Sequence, residues 1–119
     1  MDNVLKKFKA LEIDIKQLRN ELGTDLYNVS GINPEKINAE DVCFVIEQYL
    51  SDQIVMQTLL DWVNVVWFTD LYVYSTAEED TIASVMTELE TLDEEDVYFS
   101  QEDFALMLES LKNNIPYGE

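Results

Sequence analysis

Along the first 22 residues apolar side chains stand at Val4, Leu5, Phe8, Leu11, Ile15, Leu18 and Leu22. They recur at intervals of three and four, the period of one buried helical face, and predict a helix over 1–22. Gly23 can take the left-handed conformation that stops helices. No period is sustained over 24–37, where Gly31, Asn33 and Pro34 interrupt the chain. That stretch reads as an irregular connection held down by Leu26, Tyr27, Val29 and Ile32. Asn38 followed by Ala-Glu-Asp is a helix start, with Asn as N-cap and acids facing the positive end of the dipole. The second helix is expected to reach about Leu50 and to bury Val42, Val45, Ile46 and Tyr49 or their neighbours.

From Ile54 to about Tyr74 the chain is apolar on nearly every side. Leu60, Val63, Trp67, Leu71 and Tyr74 make one stripe, and Val65, Phe68 and Tyr72 another. Such a helix is central in a core or lies in a membrane. Asp61, Asn64 and Asp70 disfavour the membrane, since each Asp near a bilayer centre costs about 2.5–3.5 kcal/mol on insertion scales, and no basic flank follows. Length argues for helix through Phe68, while the β-branched and aromatic content beyond it leaves 69–75 open between helix and strand.

Thr76-Ala-Glu-Glu79 matches a capping box, ahead of a fourth helix burying Ile82, Val85, Met86 and Leu89. The charged run Asp93-Glu-Glu-Asp96 reads as a loop. Ser100-Gln-Glu-Asp103 then starts a fifth helix through Phe104, Met107, Leu108 and Leu111, which ends near Asn113-Asn114, before Pro116. The expectation is an all-α, single-domain bundle of about five helices around a central apolar helix, spanning 1–119. It comprises a helix of mixed charge at 1–22 and an acidic helical body at 38–114.

Charge changes this picture more than composition does. The net charge is −18 over 119 residues, yet residues 1–38 balance six acids with six bases. Residues 39–119 therefore hold the other nineteen of the 25 acids against the single base Lys112. A field of that sign repels nucleic acid and anionic membranes, and it favours encounter with a basic protein. At 47% hydrophobic residues the chain can still form a core. The lone Cys43 excludes an internal disulfide and reads as a small core residue. The start lacks the apolar run of a secretory signal, so a cytoplasmic location is expected.

Histidine is absent, which removes the commonest general base and metal ligand. Catalytic chemistry would need a carboxylate pair, for which Asp61 and Asp70 beside the tryptophans are the best residues. The stretch DEEDVYFSQED lacks the central glycine and the alternating oxygen ligands of a calcium loop. No catalytic residue, metal site or cofactor is assigned. What remains is an acidic surface with aromatic anchors, in which carboxylates meet Arg and Lys while aromatic rings supply buried area. The partner-binding candidates are Asp70, Tyr72, Tyr74, Glu78, Glu79, Asp80, Asp93, Glu94, Glu95, Asp96 and Tyr98.

The pattern Leu59-x-x-Trp62-x-Asn64 followed by Asp70-Leu71 and Tyr72 or Tyr74, after a helix containing Tyr49, resembles the small helical immunity-type proteins encoded beside bacterial polymorphic or contact-dependent toxins. The likeness covers residues 38–111. Val63 and the run Val65, Val66, Trp67 and Phe68 stand where members of that group carry alanine and charged residues. The resemblance implies stoichiometric neutralisation of a cognate toxin, often a basic nuclease, by covering its substrate site or an adjacent exosite. Two alternatives share the same physics: a nucleic-acid mimic that blocks a DNA-binding defence enzyme, and a structural or regulatory helical module that dimerises through its first helix.

Overall fold

The computed structural model describes residues 2–23, 25–26, 34–69, 71–94 and 99–117. Within them the order is α1 (Asp2–Lys9), α2 (Ile15–Leu22), β1 (Glu35–Ile37), α3 (Ala39–Leu50), α4 (Met56–Phe68), β2 (Tyr72–Tyr74), α5 (Glu79–Leu89), a 3-10 turn (Glu90–Asp93) and α6 (Gln101–Asn113). The architecture is mainly helical, with one small sheet that the all-α expectation did not contain. Of the connection expected over 24–37, Tyr27, Val29 and Ile32 lie outside the described residues.

The single helix expected over 1–22 is two helices. Leu11 sits at φ 64, and the amides of Leu11 and Glu12 close onto the carbonyls of Phe8 and Lys7. Those two bonds form a Schellman stop with leucine in the place usually held by glycine. Asp14 then caps α2, accepting from the Gln17 amide while the Gln17 side chain accepts from the Asp14 amide. The apolar period runs on through the break because Leu11, Ile15 and Leu22 pack against the same core on both sides of it.

The central apolar helix is α4, which buries Leu59, Leu60, Trp62, Val63, Val65 and Val66. It packs against α3, α5 and the 3-10 turn, and α6 packs in turn on α3 and α5; the core they share includes Val42, Cys43, Val45 and Ile46 of α3, Ile82, Val85, Met86 and Leu89 of α5, and Phe104, Met107 and Leu111 of α6. Burying each such aliphatic side chain is worth about 1.5–3 kcal/mol, so this set dominates the stability of the fold. Of the two tryptophans only Trp62 is fully buried; Trp67 is half-buried against Tyr74, and Phe68 is exposed. The C-terminal end of α3 meets the N-terminal end of α6, where the Tyr49 and Phe104 rings stand 5.4 Å apart.

Helix α4 ends where Thr69 turns extended, at φ −108 and ψ 167. Its hydroxyl donates back to the Val65 carbonyl and accepts from the Leu71 amide at 3.2 Å, so it serves both the departing helix and the incoming strand. Residues 72–74 then pair in parallel with β1, Glu35 opposite Tyr72 and Ile37 opposite Tyr74. Parallel strands need a long crossover, and α3 with α4 supplies it.

The expected starts of α3 and α6 form as reciprocal capping boxes, Asn38 with Asp41 and Ser100 with Asp103. The Thr76–Glu79 box does not form. Helix α5 begins later, at Glu79, after a turn closed by the Glu78 amide on the Ser75 carbonyl. The Glu78 carboxylate instead accepts from the Ala39 amide at 3.1 Å, capping the neighbouring helix α3.

Helix α6 ends on Asn114 at φ 53, ψ 46, and that side chain ties the C-terminal segment to α5. It accepts from the buried Thr81 hydroxyl at 2.8 Å and donates to the Ala77 carbonyl at 2.9 Å. Asn114→Ala loses both bonds and leaves in the left-handed conformation a residue without the short polar side chain that makes asparagine tolerant of it, so we expect a loss of about 1–3 kcal/mol in urea unfolding. Asn114→Gly keeps the conformation and should lose less; equal losses for the two would show that the backbone geometry contributes nothing.

Candidate functional site

Two of the candidate anchors, Tyr72 and Tyr74, are not surface groups. Tyr72 is buried, and its hydroxyl donates to the Leu5 carbonyl at 2.6 Å, joining β2 to α1. Tyr74 is half-buried with its ring 5.7 Å from that of Trp67, and its hydroxyl donates to the Val66 carbonyl at 2.6 Å. Strand geometry is the reason: successive side chains alternate, so Tyr72 and Tyr74 turn inward and Val73 turns out, 48% exposed. Burial raises the pKa of both phenols, with Glu35 adding to the effect at Tyr72, and pushes Tyr74 up to about 12.

The acids divide by use. Glu78 is engaged in capping α3. Glu79 and Asp80 are exposed in the first turn of α5, and Glu94 is exposed after the 3-10 turn that ends with Asp93. Asp70, Glu95, Asp96 and Tyr98 lie outside the described residues. Among the described side chains of the candidate set, the exposed carboxylates are Glu79, Asp80 and Glu94. Of the residues considered for catalysis, Asp61 accepts from Gln57 at 2.9 Å and shares a small cleft with Arg19 and Asn64.

A different surface combines exposed carboxylates with exposed apolar groups. On α3, Phe44 stands 40% exposed between Glu40 and Glu47, one helical turn away on either side. On α6, Leu106 stands 47% exposed between Glu102 and Glu109 in the same spacing. These two helices pack on each other, and both bury apolar residues in the core, among them Cys43 and Ile46 of α3 and Met107 and Leu111 of α6. Beyond α6 the C-terminal segment, anchored by Asn114 and by the Tyr117 amide on the Ser84 hydroxyl, closes one side of a groove of about 420 Å³. Leu106, Glu109, Ile115 and Tyr117 line it. The Tyr117 pKa is raised by its partial burial and then by the negative charges of Asp103 and Glu88, so this side of the molecule is electronegative as well as apolar.

The signal for this surface is present in the sequence as an apolar residue three and four positions from glutamates on an otherwise polar helical stripe. Comparison with family models, with curated proteins and with solved structures found no match to this chain.

Because the folded state holds the phenols neutral, their contribution to stability is present below the ordinary tyrosine pKa of 10.0 and is lost as pH rises toward about 12 at Tyr74. Unfolding experiments across that window should show stability falling with pH, and Tyr74→Phe should flatten the fall. An unchanged slope in Tyr74→Phe would show that the hydroxyl is not held as described.

Proposed function

We propose that this chain is a non-enzymatic acidic binding protein, an immunity-type inhibitor that neutralises a cognate basic toxin such as a nuclease. The observation that carries the reading is the lack of internal counter-charge in the acidic body. Among the described residues the ion pairs are those of Lys9, with Glu35 at 2.8 Å and Asp41 at 3.7 Å. Beyond Asp41, no described carboxylate of residues 39–117 has a basic partner among the described residues. Such carboxylates repel one another at low salt, and a basic partner relieves that repulsion on binding.

Charge alone steers association, and affinity needs an apolar centre that excludes water. Phe44, Leu106 and Ile115 are exposed by 40–54% amid glutamates, a combination that suits an interface with an apolar middle and an acidic rim. The absence of histidine from the sequence and the structural duties of Tyr72, Tyr74 and Glu78 fit a role in binding rather than in turnover.

The test is co-purification with the C-terminal domain of a toxin-like protein encoded beside this one. A one-to-one complex at low ionic strength should abolish the toxin's activity, and association should slow by about tenfold or more as salt is raised to several hundred millimolar. Reversing Glu47 and Glu109 to Lys should slow association further without unfolding the chain. Failure to form a complex, or a complex that leaves toxin activity intact, would sink the proposal; displacement of DNA from an unrelated DNA-binding enzyme would favour phosphate mimicry in its place.

A further inference from the structure

Where α3 ends and α6 begins, Tyr49, Leu50, Asp52, Phe99, Gln101 and Phe104 line a cleft of about 220 Å³. We propose that this cleft is a receptor for one arginine side chain of a partner protein. The proposal deepens the reading above and rests on it for the identity of the partner, but its chemistry is that of the cleft and can be tested without the partner.

Several independent features of the cleft favour a cation. The Tyr49 and Phe104 rings are 5.4 Å apart at 59°, and the Phe99 and Phe104 rings 5.9 Å apart at 77°. Phe104 is buried, while the partly exposed Tyr49 and Phe99 rings line the cleft, and a cation over the face of such a ring is attracted by its quadrupole. Asp52 adds a full negative charge to the lining, on an exposed residue that forms no ion pair among the described residues. The C-terminal end of α3 at Leu50 adds the negative pole of a helix dipole. The start of α6 would oppose it, but Glu102 and Asp103 occupy its first turn and the Asp103 carboxylate accepts from the Ser100 amide, offsetting the positive pole.

No basic residue is in the lining of the cleft. Lys112 acts electrostatically on Cys43, nearer the start of α3, Lys9 is bound to Glu35, and Arg19 lines a different cleft. The volume falls below the roughly 300–1,000 Å³ of small-molecule sites, and it suits a single side chain. Arginine fits better than lysine because its planar, weakly hydrated guanidinium can stack on a ring while its fork of N–H donors engages a carboxylate.

The experiment titrates the isotope-labelled full chain with N-acetyl-arginine amide, N-acetyl-lysine amide and sodium chloride at matched ionic strength, reading amide shifts by NMR. Arginine amide should give saturable shifts centred on Tyr49, Asp52, Phe99 and Gln101, and should bind several-fold more tightly than lysine amide. Asp52→Asn, a change at an exposed position, should weaken binding by about tenfold. Tyr49→Leu should remove the preference for arginine while leaving weak binding to either cation. Shifts that grow without saturation and spread over the acids of α5 and α6, an equal response to lysine, or unchanged binding in Asp52→Asn would overturn the assignment. That failure would leave toxin neutralisation to its own co-purification test, since a basic partner can dock on the α3–α6 surface without using this cleft.

Discussion

One ammonium group ties the N-terminal third of the chain to the rest. The Lys9 Nζ donates to the Glu35 carboxylate at 2.8 Å and to the Lys36 carbonyl at 3.1 Å, with Asp41 at 3.7 Å, while the Lys9 carbonyl accepts from the Trp62 indole at 3.1 Å. Four elements meet there: α1, β1, α3 and α4. None of the smaller ones would persist alone, since an eight-residue helix is marginal in water and so is a pair of three-residue strands. The ion pair is only 18–19% exposed, so solvent and salt screen it less than a surface bridge. The buried Tyr72 hydroxyl on the Leu5 carbonyl reinforces the same junction from the other strand. Together these bonds explain why a chain so short in bases places one of them at the inner seam.

The charge partition has a structural meaning beside the functional one. Acids at helix starts, among them Asp41, Glu79, Asp80 and Asp103, lie at positive dipole ends where they stabilise rather than strain the fold. Acids beyond the first turns of α3 and α6 have no such local role. Glu47 and Glu109 are exposed, and they raise the self-repulsion of the folded state without joining any bond described in it. A mutation that neutralised one of them would be close to harmless to stability, which separates them from the capping acids as carriers of the proposed binding role.

The parts of the fold readable from the sequence are those set by local chemistry. Asn38 and Ser100 announce their helices because a capping box is completed within four residues, and the cores of α3 to α6 follow from spacing alone. The break at Leu11 escaped the apolar period because α1 and α2 press the same face on the core; the Asp14–Gln17 box was the available sign of it. The inward turn of Tyr72 and Tyr74 depended on a partner strand 37 positions earlier in register, Glu35 opposite Tyr72, and no local pattern carries that pairing. The Thr76 box failed for a similar reason. Glu78, which stands within that motif, is drawn to the start of α3 by a contact 39 residues away, and the turn it closes delays α5.

This division narrows where partner chemistry can reside. Groups that join distant elements, Lys9, Tyr72, Tyr74, Trp62 and Glu78, cannot be surrendered to a partner without loosening the junctions they hold. The α3–α6 pair is built differently. Its inner sides carry the packing, its ends are closed by their own caps and by Asn114, and its outer stripes bear exposed Phe44 and Leu106 among carboxylates that the fold does not use. A side chain displayed on a well-packed pair of helices loses little conformational freedom when a partner arrives, because its backbone is already held. The same pair forms most of the aromatic cleft at its end, where Tyr49, Phe104 and Asp52 come together. A partner docked on these helices would meet negative charge, apolar contact and the proposed cation site, with the stabilising junctions of the fold left undisturbed.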